Sequence, residues 1–568
     1  MKKTFKRLGA VLLAAFMLLS TTICALADDN TQATTPTTGK TITLNVSNVN
    51  DGDTVSAYKL VWYNTTGNGY EFDADFAKYI KATASTDDAQ AYLVSLKGKP
   101  AEVNKLLESY AAECNKTGSE YKLPTPSISS EAVKNTASFA KLEPGYYLLL
   151  TKTTSTSGQI YTPLTAFVKM DGENLVVYAG ASDTALNPKE NAYTVSAKST
   201  AGPTIDKKTN ATKGADKEQN WKKTAAAGVG ETVRFYVKVN IPKYNDGTTL
   251  NLTVNDTLTN LQYKTDSVKV YADEPKLDAN GVTGNPTTID GAIKNTDIAG
   301  NYTVDNGTGT QKLKFELNYA AIMNGTTDAK SVYVYYEATV QPEAVKNGMN
   351  EGTNVASLTY ANASTPTSKH ETDGVTTKVY TYYLQLNKKK DNSSEPLKGA
   401  KFSVYTQEEG GEPLKFVEVT ENGTKYYRLA VNGDTKKVTQ IEADFQIRGL
   451  DANTYYLEEV VTPQGYYAPA GRFKIVLTSK FDNDGTHTGR LEFNASSMTA
   501  MNNADSNLIL APSVSSETPY QFSAGLKNSS TPNLPTTGGT GTVLLSIGGV
   551  VLMAAGAYLL FFRKKKEN

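Results

Sequence analysis

Two lysines of this 568-residue chain fall where a β-strand would turn them away from water. Leu384, Leu386 and Lys388 alternate onto one face, as do Ile205 and Lys207. An inward lysine is desolvated, which disfavours its charged form and frees a nucleophilic amine. Lys389 and Lys390 are expected in solvent. Asn354 alternates with Ala356 and Leu358 and can also face inward, and Asn362 shares that face as the alternative. Other chemistries lack parts. The chain has 2 His, His370 and His487, neither in a nucleophile or metal-ligand motif, and 2 Cys, too few for the usual Cys/His triads and zinc sites. Asp482-Asn483-Asp484-Gly485 lacks the later bidentate Glu of a calcium loop and reads as a turn. No metal, cofactor or turnover enzyme is expected.

The two ends are explicit. Lys2, Lys3, Lys6 and Arg7, an apolar stretch over 8–19 and Ala25-Leu26-Ala27 read as a secretory signal over 1–27, so the mature chain is expected to begin at Asp28. At the other end Leu534-Pro535-Thr536-Thr537-Gly538 precedes an apolar run over 542–562 and the cluster Arg563-Lys564-Lys565-Lys566. That run, roughly 20 residues, is long enough to span a bilayer as a helix, and the basic cluster stays cytoplasmic. The pentapeptide matches the LPXTG motif read by sortases, transpeptidases of Gram-positive bacteria that cut between Thr and Gly and pass the Thr carboxyl to an amine. Thr537 is therefore expected to become a covalent junction. Charge is balanced, 58 basic against 58 acidic residues, so nucleic acid is not indicated as a partner. Cys24 leaves with the signal, which excludes an intrachain disulfide. Cys114 lies in register with Val103, Leu106, Leu107 and Tyr110 on a predicted helix and is expected to be a buried, inert thiol.

Between the ends, roughly 510 residues correspond to three domains on a prior of about 150 each. Short runs rich in Tyr and Thr, separated by Gly, Asn, Asp and Pro, predict a mainly β chain of antiparallel sandwiches. A polar lead-in spans 28–39. The first domain spans 40–198, opens with Ile42, Leu44 and Val46, and carries two or three short helices over 73–114. The stretch 187–202 reads as a linker with one extended segment, Tyr193 to Lys198. The middle domain covers 199–379, the third 380–530, and the sorting signal 531–568.

One internal echo points further. Leu142-Glu143-Pro144-Gly145-Tyr146-Tyr147-Leu148-Leu149-Leu150 is similar to residues 450–459, with Leu150 where the third domain has Glu459. Tyr455-Tyr456-Leu457-Glu458-Glu459, followed by Pro463-Gln464-Gly465-Tyr466, resembles the pilin E-box. The residues between, Val460-Val461-Thr462, depart from the usual Thr-x-Ala. Leu397-Lys398-Gly399-Ala400-Lys401-Phe402 resembles the Leu-x-Gly-Ala-x-Phe signature of the same domains. The whole chain, from signal to sorting motif, resembles the major shaft pilins of sortase-assembled Gram-positive pili, with Cna-type immunoglobulin-like domains.

The resemblance implies intramolecular Lys–Asn amides promoted by a buried acid: Lys388, Glu459 and Asn528 in the third domain, and Lys207, Asp256 and Asn354 in the middle one. Asp256 lies in Asp256-Thr257-Leu258, which resembles the acid motif of such middle domains. No such bond is expected in the first domain, because Leu150 replaces the acid. The resemblance further implies a polymerising lysine between the first two domains. Val195-Ser196-Ala197-Lys198 occupies that place without the family's Tyr-Pro, so Lys198 is the candidate. The implied partners are a pilus-specific sortase, a housekeeping sortase, further copies of the chain, tip or basal pilins, peptidoglycan and a host surface ligand. The rival reading is a monomeric LPXTG-anchored adhesin.

Overall fold

Period-two alternation dominates the chain, and the computed structural model resolves it into successive β-sandwiches with separate cores. The structure describes residues 40–530, apart from 65–68, 97, 117, 155–157, 172–173, 180–181, 183, 190–191, 212–220, 245–247, 279–280, 325, 327, 392 and 483–485, together with residues 552–556. The signal, the lead-in and the sorting motif lie outside the described residues. So does the 542–562 run, except for 552–556, which are helical. Among the described residues no helix is long and apolar enough to cross a membrane.

In the first domain the strand Ile42–Ser47 sends Ile42, Leu44 and Val46 inward. It lies between antiparallel Thr136–Leu142 and parallel Ala192–Ser196. A second sheet, built on Thr54–Asn64, Gly145–Lys152 and Leu164–Asp171, packs Val55, Leu149 and Val168 against Leu44, Val46 and Phe139. Its other face holds Leu60, Leu148 and Leu150 under three helices, Ala74–Ala84, Ala89–Ser95 and Pro100–Cys114. Local chemistry starts each helix. The Asp73 carboxylate accepts from the Phe76 N–H at 3.0 Å, Asp88 accepts from Gln90 and Ala91, and Pro100 opens the third.

Two expectations change here. The 187–202 stretch contributes strands: Ala192–Ser196 completes the first sheet, and Ser199–Ala201 pairs with Gln159–Tyr161. Tyr193, Val195 and Ala197 alternate into the core, so the segment is held by burial. Cys114, the last residue of its helix, is half-buried where full burial was expected. Burial still pushes its thiol up to about 11, which disfavours the reactive thiolate.

The middle sandwich faces a sheet built on Thr204–Ala211, Thr232–Ile241 and Lys330–Val340 with one built on Leu250–Thr259, Thr308–Leu317, Glu351–Asn362 and Val375–Tyr380. Val237, Phe235 and Val334 meet Val254, Phe315 and Leu358 between them. The C-terminal sandwich places Tyr382–Lys389 beside Gln446–Leu450 and Gln521–Lys527 in one sheet, facing Lys401–Tyr405, Thr454–Val461 and Phe473–Val476.

Polar contacts tie neighbours together. Arg448 stacks 3.8 Å over the Tyr426 ring and donates to the Val345 carbonyl at 3.3 Å. Between the first and middle domains, Asn362 donates to the Tyr161 carbonyl at 3.0 Å, and Glu108 accepts from the Thr249 N–H at 3.0 Å. Glu108 is fully buried, and burial pushes its carboxyl up to about 8.

Candidate functional site

Alternation along Tyr382–Lys389 places Leu384, Leu386 and Lys388 inward, as expected, while Lys390 pairs with Glu395 at the surface. The neighbouring parallel strand Gln521–Lys527 sets Lys388 opposite Leu526, and the chain then delivers Asn528 into the core. Glu459 arrives from the facing sheet, on the strand Thr454–Val461, where it lies opposite Phe402. Its Oε2 is 2.8 Å from Lys388 Nζ, and its Oε1 accepts from Asn528 Nδ2 at 2.6 Å. Lys388 also donates to Asn528 Oδ1. One carboxyl therefore touches the amine and the carboxamide nitrogen together. The side chains of Lys388 and Glu459 are sealed from solvent.

Neighbouring features hold this geometry. Lys388 Nζ lies 5.5 Å from the centroid of the Phe402 ring. Gly399 sits at φ +92°, a conformation that favours glycine, and it turns the chain into buried Ala400 and Phe402. Burial pulls the Lys388 amine down from its usual range, an effect that Glu459 partly opposes. Beyond Asn528 the chain is led out by two hydrogen bonds, from the Tyr467 N–H to the Ser529 carbonyl at 3.0 Å and from the Ser530 N–H to the Asp391 carboxylate at 3.4 Å.

The middle domain assembles a second set from three strands and both sheets. Lys207 on Thr204–Ala211 donates to Asp256 Oδ2 at 2.6 Å, with both side chains fully buried. Asp256 on Leu250–Thr259 and Asn354 on Glu351–Asn362 are near neighbours, since Asp256 pairs with Ala356 and Asn354 with Leu258. Burial pulls Lys207 down and pushes Asp256 up, so both are driven toward their uncharged forms.

Asn354 does not meet Asp256 directly. The Tyr336 hydroxyl stands between them: it donates to Asp256 Oδ2, accepts from Asn354 Nδ2 at 2.6 Å, and lies 2.7 Å from Lys207 Nζ. Burial, reinforced by Asp256, holds this phenol well above its ordinary range, so it keeps its proton. Sequence reasoning missed Tyr336. The signal was present in Val332, Val334 and Tyr336, an inward alternation that ends in a polar tip. Asn362, the alternative to Asn354, lies instead at the contact with the first domain.

Among the described residues of the first domain no such set is seen. Leu150, at the position of Glu459, packs beneath the helices. Lys198 is exposed between the strands Ala192–Ser196 and Ser199–Ala201, and its carbonyl accepts from the Thr162 N–H at 3.0 Å. Leu534, Pro535, Thr536, Thr537 and Gly538 lie outside the described residues. Among the described residues no group of three or more His, Cys, Asp or Glu could hold a metal ion.

Comparison with known proteins adds the following. Residues 383–488 match the SpaA prealbumin-like fold domain, and residues 526–568 match the LPXTG cell wall anchor motif. No curated protein matches the chain. Among solved structures, the T6 backbone pilin of Streptococcus pyogenes is similar at 17% identity, with 78% of this chain and 82% of that chain covered and a TM-score of 0.41. The major pilin SpaD of Corynebacterium diphtheriae is similar at 17% identity, with 86% and 97% covered and a TM-score of 0.35. SpaA of the same organism is similar at 12% identity, with 86% and 99% covered and a TM-score of 0.37. The chain thus joins an SpaA-type prealbumin-like domain to an LPXTG anchor and is a cell-wall-anchored surface protein of the Gram-positive type.

Proposed function

We propose that this chain is the shaft subunit of a sortase-assembled pilus, stapled internally by Lys–Asn amides. The observation that carries the stapling is the pair of buried lysine–acid–asparagine sets, one in each of the two later sandwiches. In each, the neutral lysine Nζ attacks the asparagine Cγ, the new C–N bond replaces Cγ–Nδ2, and Nδ2 departs as ammonia with the proton that Nζ sheds. The acid moves that proton and is regenerated. Holding the groups in contact converts an unfavourable encounter into a local one, with effective molarities up to roughly 10⁵ M or more. Each bond forms once per molecule.

Polymerisation follows from the anchor motif and an exposed amine. A pilus-specific sortase would cleave between Thr537 and Gly538 and join the Thr537 carboxyl to Lys198 of another copy. A housekeeping sortase would pass the last junction to peptidoglycan, and tip or basal pilins would complete the fibre. The exposure of Lys198 supports this reading. Wall extracts of cells making the unaltered chain should give a ladder of covalent multimers on a denaturing gel, collapsing to one band in Lys198→Ala. A single band from the unaltered chain would leave a monomeric anchored adhesin.

A further inference from the structure

The two sets differ in how far their acid reaches. Glu459 spans its site alone, one oxygen on the amine and the other on the carboxamide nitrogen. Asp256, one methylene shorter, touches the amine through Oδ2, while its Oδ1 is buried without a hydrogen-bond partner among the described residues. The gap to Asn354 Nδ2 is filled by one atom, the Tyr336 hydroxyl oxygen.

We propose that Tyr336 is a catalytic residue of the middle-domain reaction, relaying the proton between Asp256 and the leaving nitrogen of Asn354. This rests on the amide chemistry proposed above. Lys207 Nζ forms its bond to Asn354 Cγ and sheds a proton to Asp256 Oδ2. The carboxyl hands a proton to the Tyr336 oxygen, and the hydroxyl delivers its own to Nδ2. The Cγ–Nδ2 bond breaks with its electron pair on nitrogen, ammonia leaves, and Asp256 and Tyr336 return to their starting forms. The net change is one proton moved from Nζ to Nδ2. The ring itself is fixed by Phe235 and Phe315, with centroids at 5.6 and 5.4 Å, so the hydroxyl is aimed by packing.

The test uses the full chain translated cell-free, captured in denaturant before either bond has formed and then refolded, with the Lys207–Asn354 and Lys388–Asn528 linked peptides followed in time by mass spectrometry. Tyr336→Phe keeps the ring and removes the relay. The expected result is a Lys207–Asn354 link forming at least about 100-fold more slowly, the lower end of general acid–base contributions, with the Lys388–Asn528 link unchanged in the same molecules. An unchanged rate at Lys207 overturns the relay. Absence of both links from the unaltered chain would instead sink the amide reading. Where Tyr336→Phe does not refold, 3-fluorotyrosine at position 336 retains the hydroxyl and nearly the size. Its rate should then shift with the altered phenol acidity, and an unshifted rate overturns the relay.

Discussion

In the C-terminal domain Lys388 lies on one strand and Asn528 directly follows the parallel strand beside it, and only the acid comes from the sheet opposite. In the middle domain the lysine sits on one sheet, and the acid and the asparagine sit on the other. An amide at the first site pins the register of two strands, whereas one at the second ties two layers of a sandwich. The entropic gain is similar, because both close long loops. For partners 140 positions apart, as in Lys388 and Asn528, the estimate for a cross-link is on the order of 5 kcal/mol. What differs is the deformation resisted, strand slippage in one domain and separation of the layers in the other. The first domain has a similar frame, with opening strand Ile42–Ser47 parallel to closing strand Ala192–Ser196, but fills it with apolar side chains.

The largest break in this comparison should come from Lys388→Ala. The variant should retain the mass of one ammonia that the unaltered chain loses, and it removes the amine that Glu459 contacts. It forfeits the covalent closure, on the order of 5 kcal/mol. A denaturant melt of the full chain should show the later domains opening earlier, and an unmoved midpoint would contradict the staple. Next in size is Glu459→Asp, which shortens the acid at a site where aromatic Phe402, with no hydroxyl, lies opposite. Linking to Asn528 should slow by about 100-fold or more. Linking at the native rate would erase the distinction between a spanning acid and a relayed one.

The smallest effect concerns the first domain, which contacts its neighbour through Glu108. Burial raises this carboxyl from 4.5 to about 8, so the folded state favours the protonated form. Its contribution is therefore full below about pH 4.5 and is lost as pH rises through about 8. Glu108→Gln keeps an acceptor for the Thr249 N–H and cannot ionise. Above about pH 8 it should melt higher than the unaltered chain, by ~2–4 °C for each ~1 kcal/mol recovered. A variant that follows the same pH slope as the unaltered chain would remove Glu108 as its source.

Lys388 and Asn354 could be placed from their neighbours alone, because strand alternation assigns each side chain a face, and Leu384, Leu386, Ala356 and Leu358 mark the inner one. The helices were expected as two or three short ones over 73–114, and the structure has three there, with Asp73, Asp88 and Pro100 at their starts. What resisted reading depends on how distant segments stack. Tyr336 enters its site from a fourth strand, and no spacing rule links position 336 to 207, 256 and 354. Ala192–Ser196 finds its partner almost the full length of the domain away, so a short inward alternation looked like connecting chain. Glu108 meets its acceptor role only through the packing of one domain on the next.

The burial of Asn528, immediately before the chain is led out past Tyr467 and Asp391, also sets an order of events. In a chain exported N-terminus first, Lys388 and Glu459 reach the outside ahead of Asn528 and wait for a partner that comes nearly last. The final sheet cannot lock until Asn528 has emerged, and the cleavage sequence follows within a few residues. Closure of the last domain is therefore a clock: a finished C-terminal sandwich reports that the subunit has crossed almost completely, at the moment when its processing site comes within reach.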